Sequence, residues 1–189
     1  MTQDDLLSKL AAKLPKLEKA AAPVKDYLTM KLPSAAELIP TARVLQGELR
    51  FEVLELVSAT DWLGPVNPDG YIRNPNPNPF LPEGATPQNM PDATPGFPYR
   101  PAIEVSWLFG DFEDRVKLFL KLELPRDAAK VPSLVPLFKS ADWLEREIFD
   151  MFGVVFEGHP NLTKILTPDF LKGHPMRKDY VHVKDKYDE

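Results

Sequence analysis

The chain has 189 residues, enough for one core-bearing domain with appendages, and its 43% hydrophobic and 27% charged content is ordinary for a globular protein. The absence of cysteine excludes disulfides, thiolate-bound iron–sulfur clusters, cysteine-ligated zinc and a cysteine nucleophile, and a net charge of −5 lacks the basic footprint of broad nucleic-acid binding. No apolar run reaches the roughly 18 residues that cross a bilayer, and the acidic start lacks the basic-then-apolar layout of a signal peptide, so the sequence predicts a soluble, cytoplasmic chain.

Leu6, Leu7, Leu10, Leu14 and Leu17 recur at three- and four-residue steps, with Lys9, Lys13, Lys16 and Lys19 between them. That spacing predicts an amphipathic helical segment over residues 1–23, kinked or split by Pro15. A lysine-rich face also suits a membrane surface, but packing on the chain's own domain or a partner is favoured. Tyr27 to Leu32 alternates as a short strand ended by Pro33. Ser34 and Glu37 have capping-box spacing, which predicts a helix running to Gln46 with Gly47 as its stop. Leu49 to Val57 alternates as a second strand.

Eleven of the 21 prolines fall between Pro65 and Pro101. Proline lacks the amide donor and fixes φ, so residues 65–101 are expected to form a long extended insert. The aromatic residues Tyr71, Phe80, Phe97 and Tyr99 favour a segment laid on a protein surface over full disorder. Ile103 to Phe109 and Arg115 to Leu124 then read as a hairpin about Gly110 and Asp111, with only Phe119 out of phase. The expected fold class is therefore α+β: a small mixed or antiparallel sheet of about four strands with packed helices, occupying residues 24–130. Residues 131–189 are expected to form an extended interface arm containing one helix. Phosphate-cradling glycine loops are missing, which argues against an ordinary nucleotide site.

In that helix Leu144, Ile148 and Met151 share a face, Asp142 is positioned to cap the start, and Gly153 to end it. Asp142, Arg146 and Asp150 stand four apart as a charge ladder flanked by Glu145 and Glu147. Two Gly-His-Pro turns follow, presenting His159 and His174, and then the run Arg177-Lys178-Asp179-Tyr180. The two histidines and neighbouring acids leave open a two-histidine, one-carboxylate metal site, although turn histidines bonded to backbone are far commoner. Arginine and tyrosine in the last cluster suit a protein interface.

The run Asp142-Trp-Leu-Glu-Arg-Glu-Ile-Phe-Asp-Met-Phe-Gly153, with Phe156-Glu-Gly-His-Pro160, Lys164-Ile-Leu166 and Gly173-His-Pro-Met-Arg-Lys-Asp-Tyr180, resembles the signature of one family. That family is the hydrophilic 30 kDa-type (C-type) subunit of respiratory complex I, NADH:quinone oxidoreductase (NDH-1), with relatives in chloroplast-type and membrane-hydrogenase complexes. Residues 27–62 and 103–180 take part in the resemblance. The insert at 65–101 is longer than the family's short connection, the tail after Tyr180 is short and charged, and Lys164 stands where the family often has arginine.

The resemblance implies a core component of the peripheral arm that packs on the D-type, quinone-site subunit, near the B-type one, on the cytoplasmic side of the membrane. It implies no cofactor and no catalytic residue in this chain. FMN and iron–sulfur clusters belong to partner subunits, and NADH and quinone are substrates of the proton-pumping assembly. Glu145, Arg146, Glu147, Asp150, His159, His174, Arg177, Lys178 and Asp179 become the expected interface and signature residues. The same kind of subunit in a complex fed by ferredoxin, coenzyme F420 or hydrogen is the alternative, ahead of a small histidine-metal enzyme.

Overall fold

The computed structural model describes residues 3–22, 27–64, 96 and 98–180. Most of the proline-rich stretch, including Tyr71, Phe80 and Phe97, lies outside the described residues, as does everything after Tyr180. Helix α1 (Gln3–Lys13) is followed by the short strand β1 (Glu18–Lys19) and by β2 (Leu28–Lys31). A 3-10 turn (Ala35–Glu37) leads into α2 (Leu38–Glu48), and β3 (Val53–Asp61) follows. The hairpin β4 (Ala102–Gly110) and β5 (Lys117–Pro125) precedes β6 (Lys130–Pro132), α3 (Ala141–Phe152) and β7 (Val155–Glu157).

The fold is α+β. Its main sheet is mixed and has five strands, one more than the alternation suggested, in the order β1-β2-β5-β4-β3. Strand β2 runs parallel to β5, and the other pairs are antiparallel. The extra strand comes from the N-terminal segment. Residues 14–22 do not continue the helix, because the residue before Pro15 is pushed away from αR, and the chain instead pairs Glu18 and Lys19 with Lys31 and Met30. Leu6 and Leu10 are fully buried in the core while Lys13 and Lys16 pair with Glu48 and Glu37, so α1 packs on its own domain.

Period-two alternation sorts the sheet into two faces. Val57, Trp107, Leu120 and Met30 form one cross-strand row, all buried. Ser58, Ser106, Lys121 and Lys31 form the next row, on the opposite face. Phe119, out of phase in the sequence, belongs to that outer face, opposite Leu108 and with Tyr27 at 6.1 Å between ring centroids. The inner face packs on Leu38, Ala42 and Leu45 of α2, and the same hydrophobic cluster takes in Val131, Phe138, Ile148, Phe152 and Phe156. Phe109 and Phe138 meet edge to face at 5.4 Å. Each such side chain gains about 1.5–3 kcal/mol from burial, which fixes α3 against the sheet.

Three local expectations fail for identifiable reasons. The capping box does not form: Ser34 is extended (φ −160°, ψ 164°) without a side-chain cap, and the Glu37 carboxylate is drawn to Lys16 at 2.6 Å. Gly47 does not stop α2, because Arg50 takes the left-handed turn (φ 64°) and the Leu49 and Phe51 amides return to the Val44 and Leu45 carbonyls. The second strand is shifted to Val53–Asp61, since Phe51 is consumed in that turn and in the core.

Candidate functional site: helix α3 and the segment folded back on it

Helix α3 is tied at both ends before any partner is considered. Strands β6 and β7 pair in parallel, Val131 opposite Phe156, and close the chain around the helix. Asp142 does not cap α3. Ser140 stands at the cap position, and its hydroxyl donates to the Leu54 carbonyl (2.8 Å), pinning the helix start to β3. Gly153 does end it, in the left-handed conformation (φ 72°).

Glu145 is fully buried and has no cationic partner among the described residues. Its carboxylate accepts the Ser133 hydroxyl at 2.6 Å and the Leu134 amide at 2.7 Å. Burial pushes this carboxyl up to about 7, against the lowering effect of those two bonds and with a further upward push from Asp142. His159 has a buried ring whose Nδ1 accepts the Asn161 amide (3.0 Å), so Nε2 carries the hydrogen and donates to the Asp142 carbonyl (3.1 Å). Its other neighbour is Asp142 Oδ1 at 3.5 Å.

Asp150, also fully buried, holds the returning chain by its backbone. One oxygen accepts the amides of Ile165 (3.1 Å), Leu166 (2.9 Å) and Thr167 (2.8 Å), and the other accepts the Thr167 hydroxyl (2.5 Å). Desolvation works upward on this carboxyl, but the four hydrogen bonds outweigh it and hold it below the usual range. Arg146 is not part of a ladder with Asp142 and Asp150. Its guanidinium reaches the Thr163 carbonyl and hydroxyl and the Lys164 carbonyl, and lies 5.7 Å from the Trp143 ring. Carbonyls and hydroxyls on the returning segment thus outcompete same-helix carboxylates, which offer only a few tenths of a kcal/mol at about i,i+4 spacing.

The same segment satisfies the last carbonyls of α3. Gly153 N–H caps Phe149 (2.9 Å), His174 Nδ1 donates to Asp150 (2.9 Å), Met176 N–H to Met151 (3.0 Å), and Arg177 Nε to Phe152 (2.6 Å). A cation at this end also opposes the helix dipole. A Cβ at Gly153 would collide with the His174 ring, so that glycine is needed for the close approach as well as for its φ.

Beyond the helix end lies an ion cluster that short-range pattern reading missed. Arg126, nearly buried, grips Asp61 through Nε and Nη2 (2.9–3.1 Å) and holds Asp179 through Nη1 (2.9 Å) and Nη2. Asp61 also accepts the amides of Lys178 (2.9 Å) and Leu63 (3.0 Å). Desolvation pushes Asp61 up, but these bonds prevail and keep it below the usual carboxylate range; Arg126 does the same to Asp179.

Seven of the nine expected residues therefore make internal contacts with their side chains, and Lys178 does so only through its backbone amide. Arg177 and Asp179 lie at one end of α3 with His174, and His159 lies at the other. Glu147 is exposed on α3, and the Lys178 side chain is exposed as well. His159 and His174 bond carbonyls eight residues apart on α3, about 12 Å along the axis, so the two imidazoles do not converge on one ion. Among the described residues no group of three or more potential ligands gathers for a metal, and no helix is long and apolar enough to cross a membrane. The outward side carries Trp143, Leu166, Phe170 and Met176, each more than half exposed. All four are on α3 or the segment returning over it.

Comparison with known proteins supplies the context. A curated Thermus thermophilus protein, "NADH-quinone oxidoreductase subunit 5", is 51% identical over 67 residues, which are 35% of this chain and 32% of that protein. A Buchnera aphidicola NADH-quinone oxidoreductase protein, named as a joint C/D subunit, is 44% identical over 85 residues, 45% of this chain and 15% of that protein. The matched stretch thus spans about a third or less of the length of these curated relatives. Among solved structures, "Nqo5 of the trypsin-resistant fragment (1-134)" superposes with a TM-score of 0.56 at 20% identity, covering 86% of this chain and all of that one. A chain of "the membrane-bound sulfane sulfur reductase (MBS), an archaeal respiratory membrane complex" gives 0.60 at 19% identity, covering 94% and 84%. At such identities the likeness is one of fold. The family model described as "Respiratory-chain NADH dehydrogenase, 30 Kd subunit" matches residues 31–186, most of the chain, and the chain belongs to that family.

Proposed function

We propose that the chain is a cofactor-free subunit of an NADH:quinone oxidoreductase of the complex I type, a proton-translocating assembly, and that its work is structural. In this reading it sits in the peripheral arm on the cytoplasmic side of the membrane and packs on the D-type, quinone-site subunit, close to the B-type one. FMN and iron–sulfur clusters reside in partner subunits, and NADH and quinone react there. Residues 24–130 supply the platform, residues 1–23 brace it, and residues 131–189 form the interface arm.

The observation that carries this reading is the contrast between the inward polar and the exposed apolar side chains of α3 and the segment returning over it. Inward, Glu145 holds the Ser133–Leu134 turn that leads into α3, and Asp150, His159, His174 and Arg177 spend their polar groups on fixing the chain that follows the helix. Outward, Trp143, Leu166, Phe170 and Met176 are left uncovered, with Glu147 and Lys178 as exposed charges. Large apolar and aromatic side chains with a polar surround are the anatomy of a protein interface. The relative named as a joint C/D subunit supports the quinone-site subunit as the occupant, since fusion keeps the two segments together.

Cross-linking mass spectrometry on the gently solubilised complex tests the placement. Lys172 and Lys178, both exposed, are expected to link to the quinone-site subunit. Links from these lysines only to other components would overturn the assignment of the face. The alternative, the same kind of subunit fed by another electron donor, draws on the fold shared with the sulfane sulfur reductase chain. Detection of a flavin-bearing NADH subunit in the purified complex separates the two.

A further inference from the structure

The hydrophobic cluster takes in residues as far as Phe156, with Leu162 packed at its edge, and includes nothing from residue 163 to 180. Apart from an edge contact of the His174 ring with Phe149, the returning chain is therefore held by polar contacts, which include Arg146 on residues 163–164 and His174, Met176 and Arg177 on the last carbonyls of α3. Asp150 grips residues 165–167 at the near end. At the far end Asp179 meets Arg126, and the Lys178 amide meets Asp61, both partners lying where β3 and β5 finish. Segments with few buried apolar contacts open at lower free energy than the core beneath them.

We propose that Arg126 is a clasp that fastens residues 174–180 as a strap over the C-terminal end of α3, and that the strap opens independently of the domain under it. Arg126 is suited to this because its two carboxylates are unequal. Asp61 is fully buried and gripped through two nitrogens, whereas the Asp179 side chain is 44% exposed. The Asp61 pair stays closed and keeps the guanidinium aimed, and Asp179 is the half that releases. When it releases, the Lys178 amide, the Arg177 guanidinium and the Met176 amide lose the restraint that keeps them on Asp61, Phe152 and Met151. The near anchor on Asp150 does not depend on it. Asp179 of the signature run thus acts through Arg126, which lies outside that run.

The test is amide hydrogen exchange on the full chain, comparing the parent with Asp179→Asn. This variant leaves the Arg126–Asp61 pair intact, so no buried charge is stranded and the fold is retained. The reporters are the Met176, Arg177, Lys178 and Tyr180 amides, all hydrogen-bonded in the closed strap. Their protection is expected to fall at least tenfold, while amides of β4, β5 and Ile165–Thr167 keep theirs. Unchanged protection at 176–180 would overturn the clasp. Equal loss in the sheet would overturn the independence of the strap.

Discussion

Glu145 and Asp150 lie five residues apart on α3, both fully buried, and answer burial in opposite ways. Glu145 has two donors and is pushed up to about 7; Asp150 has four and is held below the ordinary range. A carboxyl raised from 4.5 contributes stability that is complete below about pH 4.5 and lost as pH rises through 7. Chemical denaturation of the parent and Glu145→Gln at a series of pH values should therefore show the parent losing relative stability between about pH 4.5 and 7, by about 3 kcal/mol at most. A constant difference would contradict this account of the residue. Asp150 has the reverse sign: its contribution is present at neutral pH and is lost as pH falls below the usual carboxylate range. Asp150→Asn should cost about 2 kcal/mol or more at pH 7, since three amides lose a charged acceptor, and the deficit should shrink in acid. The sequence showed that these acids share a helix. It held no hint that their partners are Ser133, Leu134 and Thr167, because backbone amides from a returning loop leave no periodic trace.

At the scale of elements, the sheet was largely legible and the connections were not. Alternation over residues 115–124 held in β5, where Leu118, Leu120, Leu122 and Leu124 share the buried face, because a strand's period is fixed by covalent geometry. In β3 an irregularity between Leu54 and Leu56 breaks the period, so that Leu54 and Val57 are both buried. The expected Ser34–Glu37 cap failed because Lys16, 21 residues earlier, competes for the same carboxylate. The Arg126–Asp61 contact spans 65 residues and has no local signal at all. Gly153, by contrast, was correctly read as the stop of α3, and the structure adds a second demand on it. Gly153→Ala would force a left-handed alanine at about 1–2 kcal/mol and drive the His174 ring off the Asp150 carbonyl. Thermal unfolding should show the loss, and the His174 imidazole resonances should move toward those of a free side chain. Unmoved histidine signals would show that the ring does not depend on this close approach.

At the scale of the whole molecule, the chain reads as a domain whose last described segment is spent on presenting a surface. Membership of the 30 kDa subunit family rests on most of the chain, and the proposed docking rests on the exposed apolar side chains of α3 and of the segment returning over it. Substituting Trp143 and Phe170 by glutamate places charge on two side chains that are 68% and 59% exposed, so the isolated fold should be unaffected while the interface is lost. The deciding measurement is affinity purification of the tagged chain from gently solubilised membranes, parent against the Trp143→Glu, Phe170→Glu variant, with mass spectrometry and an inhibitor-sensitive NADH:quinone assay. The parent is expected to bring down the quinone-site subunit with a flavin- and cluster-bearing, active assembly, and the variant, with an unchanged circular dichroism spectrum, to bring down neither. A parent that purifies alone, or a variant that retains the whole assembly, would contradict the proposed docking.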